Sequence, residues 1–290
     1  MFEQFQRDEC EVNGVRIAYR KGGSGPPLLL LHGYPQTHVM WHAVADQLAE
    51  HFTVVAADLR GYGDSSKPEG GQDHVAYSKR EMALDQVELM RTLGFKRFDI
   101  LAHDRGARVS HRLAMDHPQT VRRLILLDIA PTLAMYSQTD ETFARAYWHW
   151  FFLIRPAPLP ETLMETAPEL VLKTAVATRA DHHPFTAAAY AEYLRCMKLP
   201  GTVHAFCEDY RASAGIDLQH DREDRAADRR IEAPLLVLWG AKGVVERCFD
   251  PLKEWRAVAT SVQGKALPAG HYIAEEVPQL LLDEVLGFLS

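Results

Sequence analysis

Cysteine is scarce in this chain. The four present, at positions 10, 196, 207 and 248 of 290 residues, have no C-x-x-C spacing, which excludes a disulfide scaffold and reads as buried filler or idle thiols. Long apolar runs are missing too. The longest stretches, such as Leu28 to Leu31 and Leu124 to Leu127, fall far short of the roughly 18 residues of a membrane-spanning helix, so no membrane partner is expected. Positive charge is not in excess. Lys plus Arg number 32 against 39 Asp plus Glu, a net charge of −7, and no chain-wide basic field would draw in a nucleic acid. The opening MFEQFQRDEC lacks the basic and then apolar pattern of a secretory signal, which makes the expected location cytoplasmic. What is present is 47% apolar content, enough for one large core or two smaller ones.

Short β-branched or leucine-rich runs alternate with stretches of helical period, the pattern of an α/β protein with a mostly parallel sheet covered by helices. Asn13-Gly14 between Glu11-Val12 and Val15 to Tyr19 predicts an opening antiparallel hairpin, because that dipeptide tolerates the positive φ of a tight turn. Further strands are expected at Leu28 to Leu31, Phe52 to Ala57, Phe98 to Ala102, Leu124 to Leu127, Leu235 to Leu238 and Ser261 to Leu267. A helix over Ser78 to Leu93 would end at Gly94. Between about Pro131 and Ile231 the strand signal stops, and aromatic, alanine-rich helical patterns take over. The simplest organisation is a core of residues 1–130 and 232–290 with a helical cap, 131–231, set into it. The mixed-charge run Asp217 to Arg230 reads as a solvated helix or loop without chemistry.

Strand Phe98 to Ala102 runs into His103-Asp104-Arg105-Gly106, and Ala107 to Met115 reads as a helix. Small residues two before and two after Asp104 fit a strained strand-to-helix elbow, where larger side chains would collide with neighbouring backbone. A carboxylate at the elbow attacks carbon and forms an ester, which moves the chemistry from acyl transfer to displacement at saturated carbon or epoxide opening. His32-Gly33-Tyr34-Pro35 follows another strand, and its Tyr34 N–H, with that of Arg105, could hold a developing oxyanion. The order nucleophile, acid, histidine is completed by Asp128, at the end of Leu124 to Leu127, and by His271 in Ala269-Gly270-His271. Glu246 and Asp250 are the less favoured candidates for the acid. Asp58 to Ser65 is read as a structural loop.

Arg105 and Arg108 lie three apart on the first turns after the nucleophile. Cations oppose the helix macrodipole there, so an anionic partner is expected. Two guanidinium forks could hold a substrate carboxylate with its α-carbon beside Asp104, which implies a short 2-substituted carboxylic acid.

With those residues in view, His32 to Thr37, Asp58 to Ser65, His103 to Arg108, Leu127-Asp128-Ile129, Tyr147 to Trp150, Cys207 to Ala212 and Gly270-His271 together resemble the fluoroacetate dehalogenases of the α/β-hydrolase superfamily. The resemblance spans core and cap. It implies an α/β-hydrolase fold and a cofactor-free, metal-free hydrolase in which Asp104 displaces halide and His271, oriented by Asp128, activates water on the ester. Inversion at a chiral 2-halo acid would follow. It also implies that Arg105 and Arg108 hold the carboxylate, that His149, Trp150 and Tyr210 hydrogen-bond the halide, and that the chain forms a homodimer. Three donors suit a small, poorly leaving fluoride in a dry pocket. The departures are Ala102 in place of the elbow glycine, Tyr34 where related sequences often have Phe, and Lys242-Gly243. Two rivals remain. An epoxide hydrolase would share the aspartate and histidine and add two tyrosines from Tyr136, Tyr147, Tyr190, Tyr193 and Tyr210, and a silent hydrolase-like binder would keep the site without turnover.

Overall fold

The computed structural model describes residues 1–177 and 184–290. Among these, eight strands form one sheet: β1 (Gln6–Val12), β2 (Val15–Gly22), β3 (Pro27–Leu31), β4 (Thr53–Ala57), β5 (Phe98–His103), β6 (Val121–Leu127), β7 (Leu235–Gly240) and β8 (Val262–Leu267). Their order is β1-β2-β4-β3-β5-β6-β7-β8. The β1–β2 hairpin turns at Asn13 and Gly14, whose φ values of 47° and 73° are the left-handed pair its sequence predicts. β2 also runs antiparallel to β4, and every pairing from there to β8 is parallel.

The central strands are apolar because both faces are covered. Leu28 to Leu31 of β3 are wholly buried, as are Val54 to Ala57 of β4. β8, at one edge, alternates between half-buried and exposed positions. Lys79–Thr92 is capped by Ser78, whose hydroxyl accepts from the Glu81 N–H at 3.2 Å, as a Ser-x-x-Glu start should. The helix after β5 starts earlier than its sequence pattern suggests, covering Asp104–Asp116. Its first two turns therefore carry Asp104, Arg105 and Arg108 themselves.

Eight helices and no strand occupy residues 132–226 among the described residues, and they lie over the C-terminal ends of the parallel strands. Phe206 packs 4.8 Å from Tyr62, and Gln36 donates to the Tyr193 hydroxyl at 3.4 Å. The charge run is not the solvated face expected of it. Ile216–Ala226 is a helix that buries Asp217, His220 and Asp224, and Asp217 accepts from the Lys79 backbone N–H at 2.8 Å. A mixed-charge string cannot show which of its charges meet partners on other elements, and here those partners are Lys79 and Arg112. No helix among the described residues is long and apolar enough to cross a membrane.

Candidate active site

The loops after β3, β5, β6 and β8 meet at the C-terminal edge of the sheet, where open α/β folds gather reactive groups. Asp104 occupies the first position after β5 with φ +44°, the strained elbow its neighbours predict. The turn is possible because Gly33 passes close by: a Cβ there would lie 2.4 Å from Asp104 Cβ. Gly106 is needed on the other side, since its Cβ would meet the His32 carbonyl oxygen at 2.4 Å.

The Tyr34 N–H donates to Asp104 Oδ1 at 3.1 Å. His271 Nε2 faces Oδ2 of the same carboxylate at 3.7 Å, beyond hydrogen-bond length, while Nδ1 lies 2.6 Å from Asp128 Oδ2. An Nδ1–H donated to Asp128 leaves the Nε2 lone pair on the Asp104 side. Asp128, also at positive φ (+51°), accepts from the Gly240 N–H at 2.9 Å through its other oxygen. The two alternative acids are used elsewhere: Glu246 accepts from the Trp239 indole, and Asp250 caps the helix beginning at Pro251. His103 supports the histidine from below, its Nε2 2.9 Å from the His271 carbonyl oxygen. Burial, with His271 beside it, pushes the His103 pKa down to about 3, so this ring is neutral. His32 is neutral as well, lowered by burial to about 4, and accepts from the Leu59 N–H while holding the Gly33 carbonyl. It fixes the loop carrying Tyr34, and Asp58 fixes it further by accepting from the His38 N–H at 2.8 Å.

Arg105 and Arg108 are both buried. Arg105 differs from the free carboxylate fork expected of it, because most of its donors are engaged. Nε and Nη2 donate to the two oxygens of Asp209 at 2.8 Å each, and Nη2 also reaches Ser213. Among the described residues Nη1 has no partner. Arg108 Nη1 donates to Thr132 Oγ1 at 2.9 Å and to the Ala130 carbonyl at 3.2 Å, and Nη2 contacts the Met135 sulfur. No carboxylate lies within ion-pair distance of Arg108 among the described residues. Burial and the neighbouring Arg105 lower its pKa, and the field of the Asp104 carboxylate only partly offsets them.

Aromatic side chains close the space above. Tyr34 and His149 stack with ring centres 5.9 Å apart, Tyr210 lies 5.4 Å from Tyr34, and Trp150 lies 6.3 Å from Tyr210. Arg105 Cζ stands 4.1 Å over Tyr210 and Arg108 Cζ 4.7 Å over Trp150. The Trp150 Nε1–H is buried without an acceptor among the described residues. An orphaned donor of this kind fits a site built for an anion. Of the tyrosines considered for an epoxide, Tyr193 is turned away, its hydroxyl 3.1 Å from Glu275. Asp209, Lys79 and Ser213 were not legible as site residues. The available signal was physical: two buried cations require a nearby carboxylate, and Asp209 precedes the suspected pocket residue Tyr210. No cluster of metal-ligating side chains is found among the described residues.

Comparison with known proteins agrees with this architecture. Residues 26–273 match the alpha/beta hydrolase fold family. A fluoroacetate dehalogenase of Burkholderia sp is 45% identical over all of this chain and 95% of its own length. A soluble epoxide hydrolase of Corynebacterium sp. (strain C12) is 34% identical over all of this chain and 99% of its own. A crystal structure described as an alpha/beta hydrolase from Nostoc sp PCC 7120 superposes with a TM-score of 0.98 at 52% identity, covering 100% of this chain and 99% of that one. The strand order, the elbow and these matches make the chain a member of the alpha/beta hydrolase fold family, and a hydrolase similar over its whole length to a fluoroacetate dehalogenase.

Proposed function

We propose that the protein is a hydrolytic dehalogenase of short 2-halo carboxylic acids, with fluoroacetate as the substrate its pocket suits best. The observation that carries this reading is a buried carboxylate at the elbow followed on the same helix by two buried guanidinium groups, of which Arg108 shares no ion pair among the described residues. The substrate carboxylate binds there and brings the α-carbon to Asp104. An Asp104 oxygen attacks that carbon as the carbon–halogen bond breaks, and the halide leaves with the bonding electrons towards His149, Trp150 and Tyr210. The product is a carboxymethyl ester of Asp104 plus halide. His271 Nε2 then takes a proton from water, whose oxygen adds to the ester carbonyl carbon. The N–H groups of Tyr34 and Arg105 hold the oxyanion, and its collapse breaks the bond to the glycolate oxygen, which takes the proton from His271 while the Asp104 carboxyl loses its own to solvent.

An epoxide hydrolase reading has one observation in its favour: the Tyr136 hydroxyl is buried without a partner among the described residues, on a ring 5.0 Å from Trp150. Epoxides carry no carboxylate, and that reading gives Arg108 no ion-pair partner in the complex. A silent binder has no use for a joined Asp104, His271 and Asp128. Halide release from fluoroacetate and chloroacetate, measured on the protein and on Asp104→Asn, separates the three. Release by the wild type, falling by about 10⁴-fold in the variant, supports the dehalogenase. Turnover of styrene oxide without halide release supports the epoxide hydrolase, and binding without either product supports the silent binder. The resemblance further suggests a homodimer. Exposed Leu159, Leu163 and Leu170 on the inserted helices offer an apolar surface for it, and light scattering at micromolar concentration measures the mass directly.

A further inference from the structure

Asp209 has no part in the displacement chemistry, yet it is wholly buried and pairs with two cations. Both of its oxygens meet Arg105, Lys79 Nζ pairs with Oδ1, and the Tyr62 hydroxyl donates to Oδ2 at 2.6 Å. Asp217 adds a second carboxylate, 3.3 Å from Lys79 Nζ. Burial alone would raise the Asp209 pKa, but Arg105 and Lys79 outweigh it and hold the carboxyl ionised, well below its ordinary range. The cluster therefore sets two cations, Lys79 and Arg105, against two carboxylates, Asp209 and Asp217, and balances within itself. Arg108 stands outside it: it shares no ion pair among the described residues, and Asp104 is the carboxylate whose field it feels.

Guanidinium geometry decides what this does to Arg105. Asp209 occupies the edge formed by Nε and Nη2, so the planar group can turn only by breaking two charge-assisted bonds, and Nη1 stays as a fixed donor. The Tyr210 ring, one residue further along the Thr202–Ala214 helix, covers the guanidinium face. A single helix thus grips Arg105 from its edge and its face.

We propose that Asp209 is the positioning residue of the carboxylate site, dividing its work between the two arginines. Arg105 is compensated by Asp209 and supplies direction, Arg108 shares no ion pair and supplies the charge that the substrate carboxylate meets, and with Asp104 already negative beside it the site is set to accept a single carboxylate and to discriminate against a second negative charge. This inference rests on the 2-halo acid reading above.

The test compares wild type, Asp209→Asn and Asp209→Glu, each checked for folding by circular dichroism. Calorimetric titration with acetate and with malonate reads binding without turnover, and chloroacetate kinetics read KM against kcat. In Asp209→Asn, Arg105 is both unpositioned and uncompensated. Chloroacetate KM is expected to rise about tenfold or more, and the preference for acetate over malonate to narrow by about tenfold, the gain of one positive charge. Asp209→Glu restores the acetate preference. A purely structural role would lower stability without moving that ratio. If Asp209→Asn does not fold, Lys79→Gln carries the test: it removes one cation while leaving Asp209 on Arg105, and acetate binding should weaken about tenfold. An Asp209→Asn protein, or in its absence Lys79→Gln, with acetate affinity and acetate-to-malonate ratio within twofold of wild type overturns the proposal. If the wild type releases halide from no 2-halo acid and binds neither anion, the functional reading itself fails.

Discussion

The Trp150 indole illustrates what one side chain can and cannot reveal. Aromatic residues at helical spacing ordinarily pack, and Trp150 does pack, against Tyr136 and Phe143. What distinguishes it is an N–H buried without an acceptor among the described residues, beside the Arg108 cation. Trp150→Phe keeps the ring over Arg108 and removes only that donor. Since fluoride depends most on hydrogen-bond donation as it leaves, fluoride release is expected to fall about 100-fold and chloride release about tenfold. Parallel halide assays on the two acids measure this, and equal losses would mean the indole serves packing alone. The residues proposed as reactive can be read from local backbone rules: Asp104, Asp128 and His271 stand at an elbow, a strand end and a late Gly-His. Asp209 could not be read that way. Its role comes from meeting Arg105 and Lys79, which are 104 and 130 positions distant, and spacing along the chain does not encode such a meeting.

At the scale of the element, the elbow is the feature on which the geometry turns. β5 ends at His103, the helix begins at Asp104, and Gly33 clears the space between them. Gly33→Ala would press a methyl group into Asp104 Cβ and tilt the carboxylate away from the His271 side. An ångström of misplacement there is expected to lower kcat about 100-fold, while far-ultraviolet circular dichroism stays that of the wild type. Steady-state kinetics on that variant check it, and near-normal kcat would show that the elbow relaxes without consequence. Strands and hairpin could be read from the sequence because central strands of a parallel sheet are continuous apolar runs and Asn-Gly marks a tight turn. The start of the Asp104–Asp116 helix was harder to place, since Asp104 and Arg105 show no apolar period. The Asp217 to Arg230 run misled for a related reason: charge patterning reports composition, whereas burial of Asp217 and Asp224 depends on Lys79 and Arg112 arriving from elsewhere.

Across the whole molecule, buried histidines couple stability to pH. His111, in the Asp104–Asp116 helix, packs 5.3 Å from Trp255, and burial, with Arg112 and Arg108 nearby, pushes its pKa down to about 3. The folded state keeps this ring neutral, whereas an unfolded chain protonates it near pH 6.5. Its contribution is therefore intact above pH 6.5 and is lost progressively as pH falls towards 3. Replacing it by Gln removes the titration. Between pH 7 and pH 5 the wild type should lose about 2 kcal/mol more stability than His111→Gln, whatever the variant's own offset. Urea unfolding at the two pH values gives that difference, and equal losses would show that His111 is protonated in the folded protein.

The central claim is that Asp104 is a covalent nucleophile whose ester is cleaved by water at the carboxyl carbon. A single turnover of chloroacetate in H₂¹⁸O, with enzyme in excess, tests it most directly, followed by mass analysis of glycolate and of the peptide containing Asp104. The proposed route predicts ¹⁸O in the Asp104 carboxylate and none in the first glycolate released; ¹⁸O in glycolate with unlabelled Asp104 would mean that water attacks the α-carbon directly, and would contradict it.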